Sequence, residues 1–189
     1  MTVFETARFI LREHTPEDAG VFYELNQDPE VIRYTGNSAF ASLEAARAFL
    51  ESYDEYRLHK MGRWAVISKQ DGSYLGWCGL KLLPDSGDVD LGYRLARRHW
   101  GAGVATETAR GSLRYGFETL GLTRITAYAA TANGASIRVL EKLGLRRTGA
   151  TRVGALDAVT FEILRDEWQR GDTMHVDTAR LLAPNKMGG

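Results

Sequence analysis

A chain of 189 residues, 44% of them hydrophobic, can bury one sizeable core and is too short for two full-sized domains. Its 24 basic residues balance 24 acidic ones, which excludes a global field drawing it onto nucleic acid or a membrane surface, so anion recognition has to be local. Cys78 is the single cysteine and closes no internal disulfide, and no apolar run approaches the ~20 residues of a membrane span. MTVFETARFILREH lacks the apolar stretch and cleavage site of a secretory signal, so a cytoplasmic location is expected.

In chain order, RFILREH (Arg8 to His14) alternates apolar and polar residues as a strand does. Thr15 then stands as an N-cap with Pro16 at the first helical position, opening a first helix over TPEDAGVFYELNQD. Pro29 to Ser42 has no sustained period and contains Gly36 and Asn37; it reads as a flexible segment leading to a second helix capped by Ser42. RWAVISK, YLGWCGLKLL and DVDLGYRLA, separated by the turn sequences QDGS and PDSG, read as an antiparallel meander. A helix from about Gly103 to Leu120 follows, closed by Gly121, then the strand RITAYAA and a helix from about Ala135 to Leu143 closed by Gly144. LRRTGATRV and AVTFEILRDEW form a closing hairpin. The expected class is α+β, with helices on one mixed sheet in a domain at 1–168, and a tail at 169–189 holding a short helix and a loose end.

The stretch RRHWGAGVATE places two glycines against a helix start. Ala105, Ala109, Leu113, Phe117 and Leu120 make the core stripe of that helix, whose first turn presents unpaired N–H groups and partial positive charge. Gly101 and Gly103 permit positive φ, so successive N–H groups can form a nest for a phosphate or pyrophosphate, with Arg98 adding a full charge. A plain strand-to-helix turn with Arg98 in solvent is the competing reading. A Walker loop is excluded because Val104 and Ala105 stand where Lys and Ser/Thr are needed, and a dinucleotide fingerprint because Thr106 replaces its third glycine. His14, His59, His99 and His175 are far apart without metal-ligand spacing, and no metal is expected.

DLGYRLARRHWGAGVATETARGSLRYGF through GLTRITAYAATANGASIRVLEKLGLRRTG resembles the GNAT superfamily of N-acetyltransferases, and within it the RimJ/RimL-like branch. The order of elements agrees with that family from Arg8 to Trp168. Its pyrophosphate loop falls on Arg98, Gly101 and Gly103, and its Asn-x-x-Ser step on Asn133 and Ser136. The resemblance implies a mostly antiparallel sheet splayed between DVDLGYRL and RITAYAA, with helices on both faces and acetyl-CoA, the acetyl donor, wedged in the splay. Backbone groups of Tyr93, Arg94 and Leu95 would then pair with the pantetheine arm. The pyrophosphate would lie on the N–H groups of Trp100, Gly101, Ala102, Gly103, Val104, Ala105 and Thr106, and Asn133 on the arm's far side.

Transfer to an amine needs a neutral nucleophile, a donor to the thioester carbonyl and a proton for the thiolate. Asp90 is the first base candidate, at a position where relatives often carry Glu; Asp88 and Glu13 follow, and a carboxylate satisfied by strand-end N–H groups is the alternative. The wider family's general-acid Tyr is replaced by Leu140, and the resemblance puts Ser136 in that role unless it merely caps its helix. A thiolate relay through Cys78 competes with a buried inert thiol, and His99 with an exposed loop histidine. Tyr34, Gly36 and Asn37 in the Val31 to Ser42 segment, with the turn Arg152 to Asp157, would cover the acceptor. The acceptor stays open: a protein N-terminal α-amine by resemblance, an aminoglycoside or polyamine as runner-up, or none in a non-catalytic acyl-CoA-binding module. Similar proteins are often homodimers; nucleic acid and membrane are not expected partners.

Overall fold

The computed structural model describes residues 1–171, so most of the segment read as a tail lies outside the described residues. Eight strands there form one sheet in the order β1-β2-β3-β4-β5-β6-β8-β7. They are β1 (Thr2–Glu5), β2 (Phe9–Arg12), β3 (Arg63–Ser68), β4 (Tyr74–Leu82), β5 (Val89–Leu95), β6 (Arg124–Ala130), β7 (Arg146–Val153) and β8 (Leu156–Leu164). All neighbours are antiparallel except β5 and β6, which run parallel and share the single register pair Asp90 with Thr126. The meander β3-β4-β5 and the closing hairpin stand as their turn residues predict, although β8, not β7, lies against β6.

Helices cover both faces. Trp77 and Cys78 are consecutive on β4 and so point to opposite sides of the sheet. Trp77 packs on Ala19 and Phe22 of α1 (Ala19–Gln27) and on Ala46 and Leu50 of α3 (Leu43–Glu51). Cys78 shares the larger core with Ala109 and Leu113 of α5 (Val104–Arg114), alongside Leu140 of α6 (Gly134–Lys142). Each fully buried Leu there contributes about 1.5–3 kcal/mol. Beyond Arg114 the chain widens into a π turn, Tyr115–Thr119, before Gly121 ends it at φ 69°.

Three local features depart from the periodic pattern. A short first strand, β1, pairs with β2 as a hairpin where only one strand is expected. Pro29–Ile32 forms a single helical turn, α2, because Asp28 accepts from the Glu30 N–H and Pro29 occupies the first position. The second helix is capped by Ser42 as its sequence predicts, but stops at Glu51 and resumes as α4 (Glu55–His59).

Tight approach at β3-β4 depends on Gly79, where a Cβ would lie 2.0 Å from the Gly62 carbonyl oxygen and 2.8 Å from the Trp64 ring. Neither neighbour can swing away, one being backbone and the other a fully packed indole. Replacing Gly79 by Ala is expected to cost about 3 kcal/mol, read as a lower denaturation midpoint in urea at unchanged slope.

His14 ties this side together. Its Nδ1 lies 3.0 Å from the Arg63 carbonyl oxygen, which can only accept, so Nδ1 carries the proton and Nε2 accepts from the Tyr74 hydroxyl at 3.1 Å. Burial lowers its pKa from 6.5 to about 4. Between these two values the unfolded chain binds a proton that the folded one refuses, so this stability is complete above pH 6.5 and is lost as the pH falls toward 4. The loss amounts to roughly 3 kcal/mol. In denaturant titrations across that window, His14→Gln is expected to flatten the slope of stability against pH.

Candidate active site

Beyond Asp90 the strands β5 and β6 part, so the edge of β5 from Leu91 to Leu95 has no strand beside it on the β6 side. The closed end is held by the Thr126 hydroxyl, which donates to the Val89 carbonyl at 3.2 Å. A cavity of about 1070 Å³ fills the gap and runs from the start of α5, past Tyr93 and Ser136, to Asn26, Asn37 and Trp77. Strand edge and helix start therefore face one space.

At the helix end, Gly101 and Gly103 both stand at φ 77°, the left-handed conformation that only glycine adopts without strain. Open space surrounds the Cβ direction of Gly101, so backbone shape, more than side-chain clearance, requires glycine there. Gly103 is the N-cap of α5, and Val104, Ala105 and Thr106 line the cavity with the helix's first turn. The Trp100 indole N–H donates to the Leu95 carbonyl at 2.8 Å, tying the loop to the end of β5 and using one of the backbone groups expected for the pantetheine arm. From outside, Arg8 donates to the Ala102 carbonyl at 3.0 Å and pairs with Glu107 at 2.6 Å. That brace links residues about a hundred positions apart and has no local sequence signal.

Arg98 and Ala102 do not line the cavity. Arg98 borders a separate space of about 270 Å³ beside Asp28 and Tyr74, because it sits within a 3-10 turn, Arg97–His99, that directs His99 inward instead. His99 is only partly exposed, and its Nε2 is buried with no hydrogen-bond partner among the described residues; burial and the charge of Arg98 lower its pKa. Arg138 and Lys142, spaced i, i+4 on α6, line the opposite wall. That spacing is legible in the sequence, but only the fold shows which way the pair faces.

Asn133 is the N-cap of α6: its Oδ1 accepts from the Ser136 N–H at 3.1 Å, which leaves its NH2 group to offer a ligand. Ser136 is therefore not the cap. Its hydroxyl lies 2.8 Å from the hydroxyl of the partly buried Tyr93, and desolvation raises the Tyr93 pKa. Tyr93 thus brings a side chain as well as backbone to the site. Leu140, where the wider family has Tyr, is 1% exposed in the core and carries no proton.

Asp90, Gly92 and Arg94 alternate with Tyr93 and face the α1 side. Asp90 is 2% exposed, and its Oδ2 accepts a short hydrogen bond from Arg63, whose Nη1 also donates to the Gly79 and Asp90 carbonyls at 2.6 and 3.0 Å. Oδ1 is buried without a partner among the described residues. Burial raises the Asp90 pKa against the opposing pull of Arg63. Strand-end N–H groups are not what satisfies this carboxylate; a guanidinium is. Asp88 instead pairs with Arg124, Glu13 lies 3.8 Å from the N-terminal amine, and neither lines the cavity. Cys78 is fully buried with Sγ 3.5 Å from the Ser112 hydroxyl, and burial raises its thiol pKa, the environment of an inert thiol.

On the acceptor side, Tyr34 and Asn37 line the cavity, and Tyr128, 41% exposed on β6, faces it from across the gap. Gly36 does not line it: a Cβ there would lie 2.8 Å from the Val153 side chain, so its φ of 68° serves the contact between the lid segment and the β7-β8 turn. The two covering segments expected from the sequence thus touch.

Comparison with known proteins agrees with this geometry. The acetyltransferase (GNAT) domain family matches residues 8–146. N-acetyltransferase p20 of Bacillus licheniformis, named as uncharacterized, is 32% identical over 176 residues, spanning 89% of this chain and 99% of its own. A GNAT-family acetyltransferase from Bacillus anthracis superposes with a TM-score of 0.76 at 24% identity, over 88% of this chain and 99% of that one. Spermidine N-acetyltransferase from Vibrio cholerae, solved with CoA and spermine, gives 0.70 at 20% identity, over 85% and 98%. No helix among the described residues is long and apolar enough to cross a membrane. The match over most of its length, together with the splayed sheet and the left-handed glycine pair before α5, establishes that the chain belongs to the GNAT acetyltransferases, acyltransferases that use acetyl-CoA.

Proposed function

We propose that the chain transfers acetyl directly to a protein N-terminal α-amine, as the RimJ/RimL-like branch does. The observation that carries the choice of amine is the Asp90–Arg63 pair. Even with its pKa raised by burial, a carboxylate tethered to a guanidinium stays a far weaker base than a lysine-like amine at about 10.4, whereas an α-amine, with pKa of about 7.7–8.0, needs much less deprotonation. The unpartnered Oδ1 is the atom that takes the proton, directly or through water.

Acetyl-CoA supplies the activated acetyl group. The residues that would hold it are Trp100, Gly101, Gly103, Val104, Ala105 and Thr106 around the start of α5, the open backbone edge at Tyr93 and Arg94, and the Asn133 amide, with His99, Arg138 and Lys142 as further polar contacts on the same walls. The fit rests on the two left-handed glycines and the unpaired edge, which together make a cradle for an anion joined to an amide-rich arm. Ser136 acts as proton donor, with the Tyr93 hydroxyl orienting and replenishing it at 2.8 Å. Arg98 acts at longer range, since it borders the neighbouring space. Tyr34 and Asn37 contact the acceptor, and Gly36 sets their position.

An acceptor screen by thiol release, with acetylated products identified by mass, tests the reading: peptides with a free α-amine should turn over ahead of spermidine and aminoglycosides, and the opposite order would sink it. Ser136→Ala is expected to lower kcat about 100-fold with little change in the KM for acetyl-CoA. Gly103→Val forces a β-branched residue to positive φ, and direct titration should show acetyl-CoA binding weakened at least about tenfold.

A further inference from the structure

Resting on that acetyl-transfer reading, we infer that the acceptor carries a carboxylate as well as its amine, and that Arg94 binds this carboxylate. Arg94 lies on β5 four residues beyond Asp90 on the same face, lines the cavity, and holds its guanidinium 5.3 Å from the centre of the Trp77 ring. Arg63 lies over the same ring at 5.5 Å, but Asp90 neutralises it. Arg94 has no such partner: its hydrogen bonds run to two amide oxygens, Asn26 Oδ1 and Asn37 Oδ1, and no carboxylate pairs with it among the described residues.

The other groups that act on Arg94 are Arg63, Tyr74 and Tyr128, and Lys81 nearby in the cavity is offset by Glu55 at 4.0 Å. Burial lowers the Arg94 pKa to about 10, which leaves it a cation at neutral pH. Neutral amides orient such a charge without cancelling it; Glu30, the carboxylate besides Asp90 that lines the cavity, pairs with Arg33 at 3.5 Å, so the acceptor half keeps a positive centre with no carboxylate paired to it.

The two amides differ. Asn26 is buried, and its Nδ2 donates to the Phe22 carbonyl at 2.6 Å, which fixes Oδ1 toward Arg94. Asn37 stands in the exposed lid segment, and its bond to Nη2 is long, 3.2 Å. Asn26 is thus a fixed orienting group, whereas Asn37 occupies the place that an incoming carboxylate takes over, gaining charge-assisted bonds that the amide cannot make. Polycationic amines are repelled by the same centre. The carboxylate belongs either to a free amino acid or to an acidic side chain just behind a peptide's N-terminus.

Matched pairs distinguish these sources: methionine against methioninamide, and peptides beginning Ser-Glu against Ser-Gln, each assayed by thiol release with spermidine as polycation control. In at least one pair the acid member is expected to show a kcat/KM about tenfold or more above its amide, and spermidine to trail both. Arg94→Gln should bring that ratio to near one, and Arg94→Lys, which keeps the charge and loses the fork, to an intermediate value. The ratio is read within each variant, so an overall loss of activity does not mimic the result. Equal turnover of acid and amide in the unaltered chain, or a preference that survives both substitutions, overturns the inference alone. Absence of thiol release with every amine overturns the acetyl-transfer reading and this inference with it.

Discussion

The site depends on one broken pairing. β5 and β6 meet at Asp90 and Thr126 and then separate, leaving the backbone of β5 open in the middle of an eight-stranded sheet. The N–H and C=O groups of that edge face the cavity with no neighbouring strand, so the fold presents a partner site for an extended, amide-bearing ligand. The start of α5 faces the same gap because the strand it follows ends there, and the indole bond from Trp100 to Leu95 holds loop and strand edge in one frame. The proposed donor recognition is thus backbone work at both ends.

The two faces of β5 divide the chemistry. Tyr93 points to α6 and meets Ser136, while Asp90 and Arg94 point to α1 and meet Arg63, Trp77 and Asn26. Strand alternation alone separates the proposed proton donor from the charged groups proposed to govern the acceptor. Three charges on one apolar floor would be unstable without pairing, and the fold pairs only two of them. The remaining guanidinium is where we propose that a preference for acceptor charge is set.

Much of the frame was legible in the chain. The meander follows from two turn sequences, Ser42 caps its helix as its residue type and place predict, and the glycines before α5 take the positive φ that glycine permits. What failed was local in a different sense: β1 is four residues long, and α2 is a single turn, both below the length at which periodicity speaks. Asn133, not Ser136, caps α6, since both residue types suit that position and only backbone geometry separates them.

The sequence by itself determined the α+β class and the glycine pair before α5, which are matters of spacing within one turn or one repeat period, while the Asn133–Ser136 step came from resemblance to the family. Tertiary structure alone decided that Arg98 turns away while His99 turns in, that Gly36 packs on Val153, and that Asp90 is bound by Arg63 from a strand two places away in the sheet. It also decided that, among the described residues, the Arg94 guanidinium hydrogen-bonds to amide oxygens and pairs with no carboxylate. These are contacts between residues distant in the chain, and electrostatic partners are set by where side chains end in space, which sequence spacing does not encode.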